Sequence, residues 1–468
     1  MNKNYGLLIE TYYENTKDVK KKIYKNNDDI IYTFFEDELT NIEDFEKYYL
    51  FNMRDSIESL NLLYPDICYK IEIKKNIDEL LNEIDKFLFY GNIIVVKNNI
   101  IYRFNLIKNI SRTISDSISE APNIMGSRDG FSDSCAYNTA LLRTRLKTNT
   151  LGINEYFIGK RSKTKVNMFY IKDITNEVLI DKINSTLQRI DIDAILTLSD
   201  ITTYFDKNRL FQTTTYTGSP DVVASNLLDG QVVIMIDRIP VCIVLPSSLF
   251  FLSRIRIDLE APHHYVFLSR LLVLFSFFMA VFFLGLMASF LTHQQNNLSL
   301  IVVTTLKLTQ KGALFQINIE ILLIVFLFEL YQLIGLRSAN FSFQTIIVVI
   351  AGILIGQSTI EGGLVSVIIM IMTSFAYICT YIISSDLRIV MSLSIMRIII
   401  LISSILFGLF GFLISSILLF SYIYHNRFMN MCFLHPILPF NLNDFIRFFG
   451  SKNYYKNVIR NNSLNIKD

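Results

Sequence analysis

Between Phe341 and Ser384 the only acidic or basic side chain is Glu361, and four residues before it stands Gln357. On a helix that spacing puts an amide and a carboxylate on one face. Gly356 precedes the pair, and Gly362 and Gly363 follow it at once. A carboxylate at the centre of a bilayer costs at least about 2.5 kcal/mol, so it must face protein or water. The chemistry such a group offers is the binding or passage of a cation or proton. Two more acids lie in the preceding apolar run, Glu320 on one face with Gln316 and Glu329 on another with Gln332. They are nine positions apart, about 900° of rotation, so a straight helix points them to opposite sides. As candidates for an ion pathway, Gln357, Glu361, Glu320 and Glu329 compete with a plainer reading, buried acids bonded to neighbouring helices. Arg270 and Arg397 are possible counter-charges, although near helix ends snorkelling to the interface is the preferred reading.

These residues sit in four apolar runs, Tyr265–Thr292, Ala313–Leu336, Phe341–Ser384 and Ile389–Tyr424. About 20 apolar residues cross a bilayer. The third run would be roughly 66 Å as one helix, twice a hydrocarbon core, so it must break. Glycine makes breaking cheap at 361–363, and a short, interrupted segment points to a polar path. Arg254 and Arg256 before the first run, with Lys452, Lys456 and Arg460 in the tail, place both ends in the cytoplasm. That implies an even number of crossings, taken as four, with Lys307 and Lys311 a mild violation in the first outer loop. In the last run Ser404, Gly408, Gly411 and Ser415 form a stripe of small residues suited to close contact with a neighbouring helix.

The preceding half is mixed and charged. Over the whole chain 468 residues carry a net charge of +2, which gives no case for a nucleic-acid partner. Five scattered cysteines without a C-x-x-C argue against a disulfide framework or zinc site and for a reducing, cytosolic setting. The N-terminus lacks the apolar stretch of an export signal. Residues 81–112 read as a helix and two strands turning at Lys97-Asn98-Asn99. Ser or Asp at 132–134 caps a helix bearing Arg143, Arg145 and Lys147, and a basic turn at 159–165 runs into a strand. Residues 176–190 are helical and 191–196 strand-like. Pro220 opens a helix that Gly230 ends, followed by a hairpin through Pro246. The expected fold is therefore a cytosolic α/β region of two small subdomains, followed by an α-helical polytopic membrane domain with a broken helix. Boundaries fall at 1–125, 126–260, 261–428 (about four spans) and 429–468, a basic cytosolic tail. No catalytic constellation, metal site or cofactor fingerprint emerges: "GSRDG" at 126–130 has neither P-loop nor dinucleotide spacing. The basic turn and the His263–His264 pair read as solvated and interfacial surfaces.

Several separated motifs resemble the A subunit of the GerA-type spore germinant receptors. They are Gly126, Arg128, Asp129, Gly130 and Phe131; Asn138, Leu141, Arg143, Arg145, Leu146 and Lys147; and Gly159, Lys160, Arg161, Thr164 and Lys165 with Ile190–Asp193. The segment from Pro220 to Pro240 and the membrane segment Ile355, Gly356, Gln357, Ile360, Glu361, Gly363 to Ser366 complete the order. The likeness spans about residues 85–445 and leaves 1–80 unmatched. The first outer loop departs from the pattern: "HQQNNLSLI" at 293–301 has no acid or proline. The resemblance implies a homo-oligomeric ring with a central ion path, working with a transporter-like B subunit and a lipoprotein C subunit among the lipids of the inner spore membrane. It implies that nutrient binding releases monovalent cations and that the protein is not an enzyme. Gln357 and Glu361 would line or gate the path, Gly356, Gly362 and Gly363 would let the helix bend, and Arg128, Asp129, Arg143 and Arg145 would serve coupling or interdomain contact. A sister group, an accessory sporulation-stage channel, is resembled equally well. A secondary transporter would show internal repeats, which are not seen, and a membrane-anchored scaffold would have no need of Glu361.

Overall fold

The computed structural model describes residues 5–13, 16, 18–26, 29–37, 39–50, 67–71, 77–106, 129–206, 213–248, 262–297, 300–309, 314–337, 352, 356–357, 360–383, 387–425, 434–435 and 445. They form two compact units, one drawn from Met1–Lys207 and Thr214–Pro246, the other chiefly from Ser247–Ile459.

The first unit contains two five-stranded sheets. One runs β1 (Val19–Asn26), β2 (Asp29–Glu36), β4 (Asn92–Lys97), β5 (Ile100–Asn105), β3 (Cys68–Ile71) in spatial order. The other runs β6 (Leu151–Ile158), β7 (Thr164–Ile171), β9 (Val232–Ile236), β10 (Cys242–Leu245), β8 (Thr215–Thr217). Every pairing is antiparallel. The mixed α/β reading is thus realised with antiparallel sheets rather than with parallel crossover units.

Strand β4, "NIIVVK", is buried along its whole length because it packs on both faces. Its residues alternate: Ile94 and Val96 join helices Tyr5–Tyr13 and Ile77–Leu88, while Ile93 and Val95 meet Phe35, Phe45 and Phe104. Asn98 and Asn99 turn it into β5 with φ of 50° and 61°, the left-handed pair that a tight hairpin needs. In the second sheet, helices Cys135–Arg145 and Pro220–Leu228 cover one face through Leu141, Leu142, Val223 and Leu227. Ser134 caps the first of these by accepting from the Tyr137 amide, and Pro220 occupies the first turn of the second. Residues 191–196, read as a strand, are irregular instead. Their carbonyls at Ile192 and Asp193 accept from the amides of Lys160 and Arg161 in the basic turn, so this segment braces a loop and joins no ladder.

The second unit is helical. Among the described residues two helices are long and apolar enough to cross a membrane, His264–His293 and Arg388–His425. Helix Ile317–Arg337 carries Glu320 and Glu329, and Val367–Ile383 is a shorter apolar helix. Contacts advance together along these last two, Glu320 with Ser366 and Glu329 with Tyr377, so they run parallel. The final apolar run, read as one crossing, is not one rod. Straight, its 39 residues would measure about 58 Å. Gly408 interrupts it with φ 61° and ψ −141°, and the chain turns so sharply that Ser403 Oγ donates to the carbonyl of Gly411 at 2.9 Å. The break frees the carbonyl of Ile405, which is met by His293 Nε2 at 2.8 Å from the end of the first long helix. The small-residue stripe therefore does two jobs. Ser404 lies against Gly285, as a helix-contact stripe should, while Gly408 and Gly411 make a turn.

A methyl group at Gly408 would sit 3.1 Å from the His293 ring in a backbone conformation that L-residues avoid. Gly408→Ala is expected to destabilise this unit by about 1–2 kcal/mol, read as earlier thermal loss of folded protein in detergent than for Gly352→Ala, where the methyl meets only ordinary contacts.

Candidate functional site

The break expected around Glu361 has a definite geometry. Glu361 ends a helical turn, Gly362 and Gly363 form a tight turn with Gly363 at φ 64°, and the next helix begins at Val367. The amide of Gly363 reaches back to Ile360 at 3.1 Å, and its carbonyl accepts from the amide of Leu314 at 2.9 Å. Gln357 donates through Nε2 to Glu361 Oε1 at 2.8 Å, so the shared face inferred from their spacing is real. Both side chains are exposed at the surface of the unit. Gly356 lies 3.4 Å from the Met370 side chain, measured from where its own Cβ would be, and Gly362 is exposed.

Glu320 and Glu329 occupy separate environments. Glu320 is fully buried, and its Oε2 accepts the Ser366 amide at 3.0 Å. Ser366 immediately precedes helix Val367–Ile383, so the carboxylate sits at the positive end of that helix and caps it from a neighbouring element. Its Oε1 and the Ser366 hydroxyl have no partner among the described residues.

Glu329, 23% exposed, pairs with a guanidinium that is wholly buried. Its Oε1 accepts from the Tyr377 hydroxyl at 2.8 Å and from Arg397 Nη2 at 3.1 Å. Arg397 is fully buried; Nη1 donates to Thr380 Oγ1 at 2.9 Å and Nη2 also to Ser394 Oγ at 2.9 Å. The guanidinium lies 3.7 Å from the centre of the Tyr377 ring, a cation–π contact. The snorkelling reading of Arg397 fails because its side chain is enclosed and its Nη donors are taken by Glu329, Thr380 and Ser394, about 15 Å along the helix from its start at Leu387. Arg270 is likewise buried, at 4% exposure. Tyr377, Thr380, Ser394 and Ser366 were not legible as participants. The available signal was the lone arginine of the last apolar run, whose possible role as a counter-charge did not say which of the two glutamates in the second run it meets.

In the first unit the structure separates two roles that the motif residues share on paper. Arg143, fully buried, joins the two sheet regions: it forms a bidentate pair with Asp18, donating from Nε and, at 2.8 Å, from Nη2. It also donates to the carbonyls of Thr148 at 2.6 Å and Leu151 at 3.1 Å, and its plane lies over Phe89. Asn149 adds a bond to the Tyr12 carbonyl at 3.2 Å. Close by, Tyr12 and Tyr13 both donate to Asp85, whose carboxyl is held above its ordinary range mainly by burial. Arg145, in contrast, stays within the second subdomain. It holds Asp221 at 2.6 Å and Asp129 at 3.3 Å, so three motifs distant in sequence converge on one ion cluster. Lys160 pairs with Asp191 at 2.7 Å, and Arg161 faces Asp193 at 4.0 Å, uniting the two parts of a fourth motif. Arg128 lies outside the described residues.

The chain belongs to the family described as Bacillus/Clostridium GerA spore germination protein, whose family model matches residues 8–461. The match takes in residues 8–80, where the sequence carries no recognisable motif. The chain is 29% identical over 394 residues to spore germination protein XA of Bacillus anthracis, covering 83% of this chain and 79% of that protein. To stage V sporulation protein AF of Bacillus subtilis it is 30% identical over 331 residues, covering 68% of this chain and 64% of that one. Among solved structures, the N-terminal domain of the A subunit of the Bacillus megaterium spore germinant receptor GerK3 aligns with 51% of this chain and 92% of its own, at 23% identity and a TM-score of 0.38.

Removing one member of a buried ion pair strands the other, at a cost of about 3–5 kcal/mol, whereas replacing both with apolar residues can be close to neutral. Arg397→Met and Glu329→Leu are each expected to lower stability by that order, and the double variant by much less. Thermal unfolding of the purified chain in detergent, arranged as a double-mutant cycle, measures the difference.

Proposed function

We propose that this chain is the membrane subunit of a spore nutrient-germinant receptor. Several copies surround a path through which monovalent cations leave when nutrient is sensed, and this release starts germination. The observation that carries the reading is the exposed Gln357–Glu361 pair within an otherwise apolar segment. Around it the unit exposes apolar stripes at helical spacing, Ile319, Leu322, Phe326, Leu330 and Leu333 on one helix and Val367, Ile371, Phe375 and Ile378 on another. Such stripes suit lipid or neighbouring protein. A carboxylate on the same surface does not suit lipid, so water or another copy of the chain must meet it. A ring of such carboxylates attracts cations, and the glycine turn behind each one lets it shift. In this arrangement the unit is a polytopic membrane domain of about four crossings in the inner spore membrane. The sheet-bearing region faces the spore core, and a transporter-like B subunit and a lipoprotein C subunit complete the receptor.

A second reading is an accessory channel of late sporulation. The similarity to stage V sporulation protein AF favours it, as does an outer loop, 293–301, without the acid and prolines of the receptor pattern.

Two experiments test these readings. Glu361→Gln is expected to change the rate of cation release while leaving the amount of protein in the membrane unaltered, with flux measured by potassium electrode and protein by immunoblot. Unchanged flux removes Glu361 from the path. Potassium release from spores lacking the gene, over a panel of amino acids, sugars and salts, separates the two functions. Loss confined to one nutrient class identifies a receptor subunit, and slower release to every nutrient identifies the accessory channel.

A further inference from the structure

The sequence groups three glutamates as one ion pathway, but their surroundings divide them. Glu361 is exposed, with Gln357 bonded to its carboxylate, whereas Glu320 is fully buried against a backbone amide and Glu329 is tied into the Arg397 network. Both of the latter belong to helix Ile317–Arg337, and both grip the same neighbour, helix Val367–Ile383 or the residue just before it. Glu320 holds the start of that neighbour through Ser366, and Glu329 holds it about three turns further on through Tyr377. Between the two grips Tyr377 also donates to the carbonyl of Val325 at 3.2 Å, and its ring stacks on Phe328 with centroids 4.8 Å apart. A third bond, from the Leu314 amide to the Gly363 carbonyl, fixes the turn itself from the residue just ahead of the first helix.

We infer that Glu320 and Glu329 are positioning residues: they clamp helix Val367–Ile383 at two points and thereby set where the Gly362–Gly363 turn presents Glu361. The inference rests on Glu361 belonging to the cation path, as proposed above, and assigns the other two acids a different task. Physically, two hydrogen-bonded carboxylates on one helix fix the axial register of a parallel neighbour, which apolar packing alone leaves free to slide. The part of Glu320 that does this is its acceptor oxygen. A glutamine has the same acceptor at the same reach, so the charge of Glu320 is dispensable for positioning. For a group that lines a cation path the charge is the function, and an amide cannot replace it.

The test compares variants of the full chain in spores. With Glu361→Gln altering cation release, Glu320→Gln is expected to release cations within about twofold of the parent and Glu320→Leu to fall by about tenfold or more. Rescue by the isosteric amide and not by the hydrocarbon side chain is the signature of positioning. A second readout does not depend on flux. In membranes holding Glu361→Cys or Glu320→Cys, a positively charged, membrane-impermeant thiol reagent is expected to modify the first and spare the second, above the background of the unsubstituted chain. Loss of release in Glu320→Gln equal to that in Glu361→Gln, or modification of Glu320→Cys, overturns the inference. If Glu361→Gln leaves release unchanged, it is the path assignment that fails, and the labelling pattern alone then decides whether Glu320 is a sealed clamp or an accessible group.

Discussion

The helical unit depends on one interaction more than on any other, the burial of Arg397 against Glu329. Moving two unit charges out of water costs several kcal/mol per ion, and only close pairing with further hydrogen bonds recovers it. Here the recovery is spread over three helices. The carboxylate comes from Ile317–Arg337, the aromatic face and a hydroxyl from Val367–Ile383, and a second hydroxyl from the same helix as the arginine. None of these helices can move relative to the others without parting the buried Arg397 guanidinium from one of its partners. Apolar packing, by contrast, is non-directional and tolerates sliding. The network therefore converts a loose bundle of leucines and isoleucines into one arrangement, and the Glu320–Ser366 contact fixes the same helix at its beginning.

The N-terminal unit follows the same rule. Its motif residues read, in sequence, as interdomain-contact and solvated-surface charges. In space they satisfy each other: Arg145 with Asp129 and Asp221, Lys160 with Asp191, Arg143 with Asp18. Their strength differs with burial. Lys160 and Asp191 are both more than two-thirds exposed, so their pair contributes little. Arg143 is wholly enclosed, and without Asp18 its charge would be stranded between two sheet regions. It is the one of these arginines whose position couples the subdomains, and its backbone partners at Thr148 and Leu151 lead directly into β6.

Local structure was legible wherever one residue type forces one outcome. The Asn98–Asn99 hairpin, the Ser134 cap, the Pro220 start and the Gly362–Gly363 turn each follow from a backbone preference that tertiary packing did not need to overrule. Alternation and turn chemistry likewise placed β4, β5, β7, β9 and β10, while β1, β2, β3, β6 and β8 went unread. The failures share a cause. Residues 191–196 have strand composition, yet their hydrogen bonds go to a loop, and composition carries no information about which backbone partner is nearest. The last apolar run has continuous hydropathy, so nothing in a hydropathy average marks Gly408 as the one glycine of its stripe that leaves the helix. Arg397 lies within about three turns of the start of its run, a distance that suits the interface, and only the partners that neighbouring helices bring to it mark it as buried. Side-chain partners across helices, such as Tyr377 with Glu329, are set by crossing geometry, and no spacing within one segment encodes them.

The contrast among the three glutamates follows from what neutralises each. Glu329 has a cation and a phenol, and Glu320 has a helix N-terminus. Glu320 is wholly enclosed, and Glu329, though 23% exposed, cannot leave its partner without stranding a buried guanidinium. Glu361 has one amide hydrogen bond from its own helical turn, at the surface, beside a glycine pair with no side chains to hinder movement. A group that must bind and release an ion needs weak, replaceable partners, because a carboxylate already satisfied by a buried guanidinium gains little from a passing cation. On that criterion Glu320 and Glu329 suit the holding of one helix against another, and Glu361 alone of the three keeps the exposed, replaceable bonding that the proposed cation path requires.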